Sequence, residues 1–155
     1  MNWTLGFVKL VLRFYPPYFG AGVRVTHISP DWRELRVEMK LRWYNRNIMG
    51  THFGGSLYSM IDPHLMLLLK QLLGTEYIVW DKAAEIEFVR PGRGKVTSTI
   101  TISDAELEDI RQNTAAGQKY FPKFNLTIVD DSGGVVAKVK KTLYVRRSVD
   151  TRSLS

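Results

Sequence analysis

Polar and apolar positions alternate with a two-residue period over much of the chain. The clearest run sets Leu35, Val37, Met39, Leu41 and Trp43 against Arg36, Glu38, Lys40 and Arg42. This alternation predicts a strand with one face in the core and one in water. The same period recurs at Val23, Val25 and, less regularly, Ile28, then at Ile86 and Phe88, and at Val96, Ser98, Ile100 and Ile102. It returns at Phe124, Leu126 and Ile128, and at Val135, Ala137 and Val139 running on to Leu143 and Val145. Pro91-Gly92-Arg93-Gly94 and Asp131-Ser132-Gly133-Gly134 stand where hairpins need positive backbone angles, so the sheet is expected to be antiparallel.

Three segments break the two-residue period. Residues 4–15 place Leu5, Val8, Leu12 and Phe14-Tyr15 on a helical stripe that stops at Pro16-Pro17. This fits a terminal helix docked on its own domain, with attachment to a membrane surface as the alternative. A run from Asp104 to Ala115, with Asp104 as its N-cap, predicts a short, mostly exposed helix. Between Ser56 and Leu73, the residues Leu57, Met60, Ile61, Leu65, Met66, Leu67, Leu68, Leu69, Leu72 and Leu73 leave almost no polar face. A helix apolar on every side must be buried.

At 155 residues with 45% apolar content, the chain reads as one globular domain over 1–147 with a polar tail at 148–155. The absence of cysteine excludes disulfides, thiol nucleophiles and thiolate metal sites, and fits a reducing cytoplasm. Lys9 and Arg13 interrupt the apolar amino-terminal stretch, which is the wrong layout for a cleaved signal. The longest apolar run, Leu65 to Leu73, falls short of the roughly 20 residues that span a bilayer, so no integral membrane segment is expected. The net charge of +7 points to an anionic partner. Arg146-Arg147 and the scattered aromatics make no recognition helix or stacking motif, so nucleic acid is not expected. No metal site is expected from His52, Asp62 and His64, whose spacing fits no known ligand set.

Chemistry concentrates around the buried helix. Gly54 and Gly55 open it, and the first backbone N–H groups of a helix lack helical partners. With no side chains in the way, a carbonyl can approach those amides and have its developing negative charge stabilised; the alternative is that the glycines only let helix and sheet pack closely. Asp62 lies in the middle of the apolar segment, where a carboxylate is costly unless paired, hydrogen-bonded or solvated. Burial raises a carboxyl pKa toward values suited to a general base, and a carboxylate can also attack an acyl carbon directly. A structural aspartate bonding its own backbone beside the helix-kinking Pro63 is the other reading.

The order helix, two strands, buried helix, two strands, short helix, two strands resembles the hotdog fold, an α+β architecture in which an antiparallel sheet wraps a central helix. The stretch Asn47-Ile48-Met49-Gly50-Thr51-His52-Phe53-Gly54-Gly55, with Asp62 seven residues on, resembles hotdog thioesterases of the phenylacetate type. In that branch an Asn, a Gly, a His-Gly-Gly and a downstream acid follow in this order. Asn47, Gly50, Gly54, Gly55 and Asp62 match, while Phe53 stands before the glycines and His52 is one place earlier. Phe-Gly-Gly with Asp62-Pro63 looks closer to the branch known as domain of unknown function 4442.

The resemblance implies hydrolysis of a fatty or aryl acyl thioester of coenzyme A or an acyl carrier protein, with coenzyme A as part of the substrate and no separate cofactor. Asp62 would be base or nucleophile, the Gly54 and Gly55 amides the oxyanion hole, and Asn47 would position water or the thioester unless it only forms a turn. His52, Phe53 and Ser59 would line the substrate, and Arg90 and Arg93 would face the nucleotide phosphates unless the loop is merely a solvated hairpin. Seven residues of helix put Asp62 roughly 10 Å from Gly55. Reaction needs about 3 to 3.5 Å, so the site would be completed by a second subunit in a homodimer or dimer of dimers. A hydratase or dehydratase on the same fold, a non-catalytic acyl-thioester or lipid carrier, and a membrane-surface protein using the amino-terminal helix remain open alternatives.

Overall fold

The computed structural model describes residues 3–148. Twelve elements follow in order: α1 (Leu5–Arg13), α2 (Pro16–Ala21), β1 (Val23–Ile28), β2 (Glu34–Lys40), α3 (Gly54–Ser59), α4 (His64–Leu73), β3 (Tyr77–Phe88), β4 (Lys95–Thr101), α5 (Asp104–Thr114), β5 (Lys119–Tyr120), β6 (Lys123–Asp130) and β7 (Val135–Arg147). The strands form one antiparallel sheet in the order β1-β2-β4-β6-β7-β3, with β5 pairing β7. This is the expected sheet around a central apolar helix. The polar tail from 148 lies, beyond Ser148, outside the described residues.

The core is the inward face of the strands closed over α3 and α4. Leu35, Val37 and Met39 of β2, Val96 and Ile100 of β4, and Val139, Leu143 and Val145 of β7 are buried against Met60, Ile61, Leu65, Leu68 and Leu69. Each such side chain contributes about 1.5 to 3 kcal/mol on burial, so these five residues of the central segment together anchor the sheet over it. Gly94 and Gly133 adopt φ values of 69° and 79°, as the two predicted turns require.

Four local expectations need correction. The central helix is interrupted: α3 ends at Ser59, residues 60–63 form turns, and α4 begins after Pro63, whose missing N–H cannot continue the ladder. The amino-terminal helix stops before Pro16, yet Pro16-Pro17 open a second helix, where proline at the first positions loses no hydrogen bond. Strand β2 ends at Lys40, three residues short of Trp43, which is 81% exposed. The N-cap of α5 is Ser103, in a reciprocal capping box with Glu106, and Asp104 is the first helical residue; Leu107 and Ile110 anchor it to the core.

Candidate active site

The break in the central helix delivers Asp62 to the protein surface. Its side chain is 48% exposed, and its Oδ1 accepts hydrogen bonds from the Tyr58 hydroxyl and from Lys141 Nζ, each at 3.2 Å. Both bonds go to one oxygen. Among the described residues Oδ2 has no partner. The carboxylate is therefore fixed by other side chains, not by its own backbone, and presents a free oxygen outward.

Lys141 is the side chain that this arrangement turns on, and it was not singled out in the sequence. Its side chain is fully buried, and Nζ lies 2.6 Å from Asp81 Oδ1 on β3 as well as 3.2 Å from Asp62. Burial alone would push the ammonium pKa down. The hydrogen bond and charge of Asp81, with Tyr58 and Asp62, more than offset this and leave it raised. The ammonium thus stays charged between two carboxylates, 5.7 Å from the Tyr58 ring centroid. Tyr58 and Asp81, with Lys82, Ala83, Ala84 and Ile86, line a surface depression of about 460 Å³ along the outer edge of β3.

Behind this network the ring of His64 is completely buried, with Nε2 3.0 Å from the Tyr18 hydroxyl. Its burial, reinforced by the Lys141 charge, pushes its pKa down to about 3, so the ring is neutral.

Gly54 and Gly55 lie at the start of α3, and no side chain caps that end. Two phenyl rings roof it. A Cβ on Gly54 would stand 2.9 Å from Cζ of Phe88, and one on Gly55 would stand 2.5 Å from Cε1 of Phe53. Both rings are 55% exposed, so the two glycines stand beside apolar surface that solvent reaches.

Asn47 is committed to its own loop. Its Oδ1 accepts from the Met49 and Thr51 amides at 3.0 and 3.1 Å, and its Nδ2 donates to Thr51 Oγ1 at 2.9 Å. That is the geometry of a turn-forming asparagine. His52 is buried beneath the loop between β3 and β4: its Nε2 lies 3.1 Å from the Gly94 carbonyl oxygen, its Nδ1 has no partner, and desolvation lowers its pKa. Ser59 donates its hydroxyl to the Gly55 carbonyl at 2.9 Å, a bond within the helix.

The basic loop is less free than its composition implies. Arg90 pairs with Asp130 at 2.5 Å and donates from Nε to the Val135 carbonyl, and Lys95 pairs with Asp131 at 3.1 Å. Asp130 in turn accepts from the Ser132 hydroxyl and from the Ser132 and Gly134 amides, with the Ser132 hydroxyl the largest cause of its lowered pKa. Arg90 and Lys95 thus tie the β6–β7 hairpin to its neighbour, and Arg93 is the cation of this loop with no ion pair among the described residues. Among the described residues no three His, Asp or Glu side chains gather closely enough to hold a metal ion.

A family model described as domain of unknown function DUF4442 matches residues 5–145. The chain belongs to the DUF4442 family. No curated protein sequence matches this DUF4442 chain. Among solved structures, a Pseudomonas aeruginosa protein of unknown function described as a probable thioesterase superposes with a TM-score of 0.81 at 17% identity, over 95% of this chain and 98% of that one. A Haemophilus influenzae thioesterase superposes with a TM-score of 0.69 at 13% identity, over 98% and 96% of the two chains. A mutant form of the phenylacetic acid degradation protein PaaI of Thermus thermophilus gives 0.57 at 21% identity over 83% and 97%. At these identities the likeness shows the architecture alone. It is the hotdog fold.

Proposed function

We propose that this DUF4442 protein hydrolyses acyl thioesters, with Asp62 as the group that acts on the acyl carbon or on the attacking water. The observation that carries this reading is the Asp62 carboxylate itself: half exposed at a break in an apolar helix, clamped through Oδ1 by Tyr58 and Lys141, with Oδ2 open to the surface. A carboxylate bonded through one oxygen to a buried ammonium and a phenol, with the other oxygen unengaged, suits a base or nucleophile. The thioesterase names carried by two of the solved structures agree.

In the base form of the reaction, Oδ2 takes a proton from water as its oxygen bonds to the thioester carbon. The carbonyl oxygen becomes an oxyanion that the Gly54 and Gly55 amides of a second copy would receive. Collapse breaks the carbon–sulfur bond, and the thiolate recovers the proton from Asp62, leaving a free acid and a free thiol. Phe53 and Phe88 supply the apolar wall against which an acyl group packs, and Arg93 is the cation left for an anionic carrier.

Thiol release from a panel of alkyl and aryl acyl-CoAs tests the proposal. Wild-type protein is expected to turn over at least one of them, and Asp62→Asn to lower kcat by about 100-fold or more. Undiminished turnover by Asp62→Asn removes Asp62 from the chemistry. Tight acyl-CoA binding without any thiol release makes the protein a carrier instead.

A further inference from the structure

The amino-terminal helix carries two apolar stripes, and the fold uses one. Leu5, Val8 and Leu12 turn inward, where Val8 is buried and the other two pack on the core. Phe7, Leu10, Val11 and Phe14 repeat the three-and-four spacing on another face and are 54, 57, 45 and 62% exposed. Phe19 on α2 is 68% exposed. Contiguous apolar surface of this kind marks an interface.

The charge beside it has one sign. Lys9, Arg13, Arg24 and Arg42 line a cleft of about 500 Å³ between the two helices and β1, with no acidic side chain among its walls. The first acidic residue in the sequence is Asp31. Arg13 lies 5.9 Å from the Phe14 ring centroid, which joins the cationic cleft to the apolar stripe. Helix α1 packs on β1, and this cleft shares no lining residue with the depression beside Asp62, although its Tyr18 wall bonds His64 behind that network.

We propose that the outward face of α1 and its cationic cleft dock this protein on the surface of a membrane rich in anionic phospholipid. Phe7, Leu10, Val11 and Phe14 enter the interfacial layer while the four cations meet lipid phosphates. A nine-residue helix is far too short to cross and lies in the plane of the interface. A second copy is the poorer occupant, because a two-fold contact through this face would set its cations against their own equivalents.

Flotation of the full chain with phosphatidylcholine vesicles, with and without phosphatidylglycerol, tests this without reference to any activity. The protein is expected to float with the anionic vesicles, to remain behind with the neutral ones, and to be released by added salt. Phe7→Ser with Phe14→Ser, and separately Lys9→Glu with Arg13→Glu, should each lower the partition coefficient by about tenfold or more while leaving thermal melting unchanged. Wild-type protein left behind by anionic vesicles overturns the proposal, as does equal flotation of wild type and both double variants. Light scattering in which the serine variant splits an oligomer that never bound vesicles assigns the stripe to a subunit contact instead.

Discussion

His64 shows how one buried ring sets a pH limit on the fold. In the unfolded chain it takes a proton near pH 6.5; in the folded protein, desolvated beneath Asp62 and bonded to Tyr18, it stays neutral down to about pH 3. A base whose folded pKa is depressed makes the unfolded state the better proton binder between those values, so stability is full above about pH 6.5 and falls as pH drops toward 3. His52, also lowered by burial, adds to the same limb. Asp31 and Asp130, lowered by hydrogen bonds, lose their contribution only below about pH 4. Urea midpoints are therefore expected to fall between pH 7 and 4.5, and His64→Gln, which keeps a polar atom near Tyr18, should flatten most of that slope. An unchanged slope in the variant would show that His64 is protonated in place. The same reasoning about cost governs what was legible at this scale. Asp62 stood out because a carboxylate in an apolar helix has to be compensated. Lys141 occupies the inward register of the run Val135, Ala137, Val139, Leu143, Val145, and the identical test applied to that strand would have flagged it. What compensates each charge is a tertiary fact that no local pattern contains.

Periodicity identified most elements because burial on one face imposes it, and it failed where something other than burial ends an element. The alternation of β2 runs on through Trp43, but the chain leaves the ladder after Lys40. There the buried Asn45 side chain bonds the Lys40 and Ala21 carbonyls and the Arg42 amide. The long β3 was visible only at its far end, because residues 80–85 are exposed on both faces and carry no alternation. The opening of α3 was legible as a pair of glycines, though not the reason for them. Each stands against a phenyl ring tip rather than backbone, and neither has a positive φ, so the local cost of a methyl group is modest. Gly55→Ala, which also gains helix propensity, is expected to shift stability by no more than about 1 kcal/mol. If the Gly54 and Gly55 amides receive the oxyanion, the same change crowds their approach and should lower kcat by about tenfold or more. Retained stability with lost turnover separates a working amide pair from a packing device; loss of stability with turnover intact argues for packing alone.

At the scale of the whole molecule, the surface that demands explanation is the free edge of β3. This strand is twelve residues long and pairs β7 on one side, and among the described residues nothing pairs the other. Trp80 and Phe88 on it are 63 and 55% exposed. A long, partly apolar edge is a hazard in an isolated monomer, and natural sheets cover it. Covering it with a second copy through a two-fold axis would also close the depression lined by Tyr58 and Asp81, next to the Asp62 that Tyr58 bonds. The spacing argument asks for the same thing, since Asp62 follows α3 in the turn after it, seven residues or roughly 10 Å at helical rise beyond Gly55, too far to reach a carbonyl held there. Light scattering at micromolar concentration is expected to give at least a dimer. A mixture of two inactive proteins is the sharper measurement. When Asp62→Asn subunits are unfolded and refolded with an equal amount of a Gly55 variant that is folded but inactive, half of the dimers are mixed and each holds one intact site of two. Activity should return to about a quarter of the wild-type value per subunit. No recovery, with mixed dimers demonstrated by mass spectrometry, would mean that each site is built within one subunit, and the β3 edge would then need a different partner.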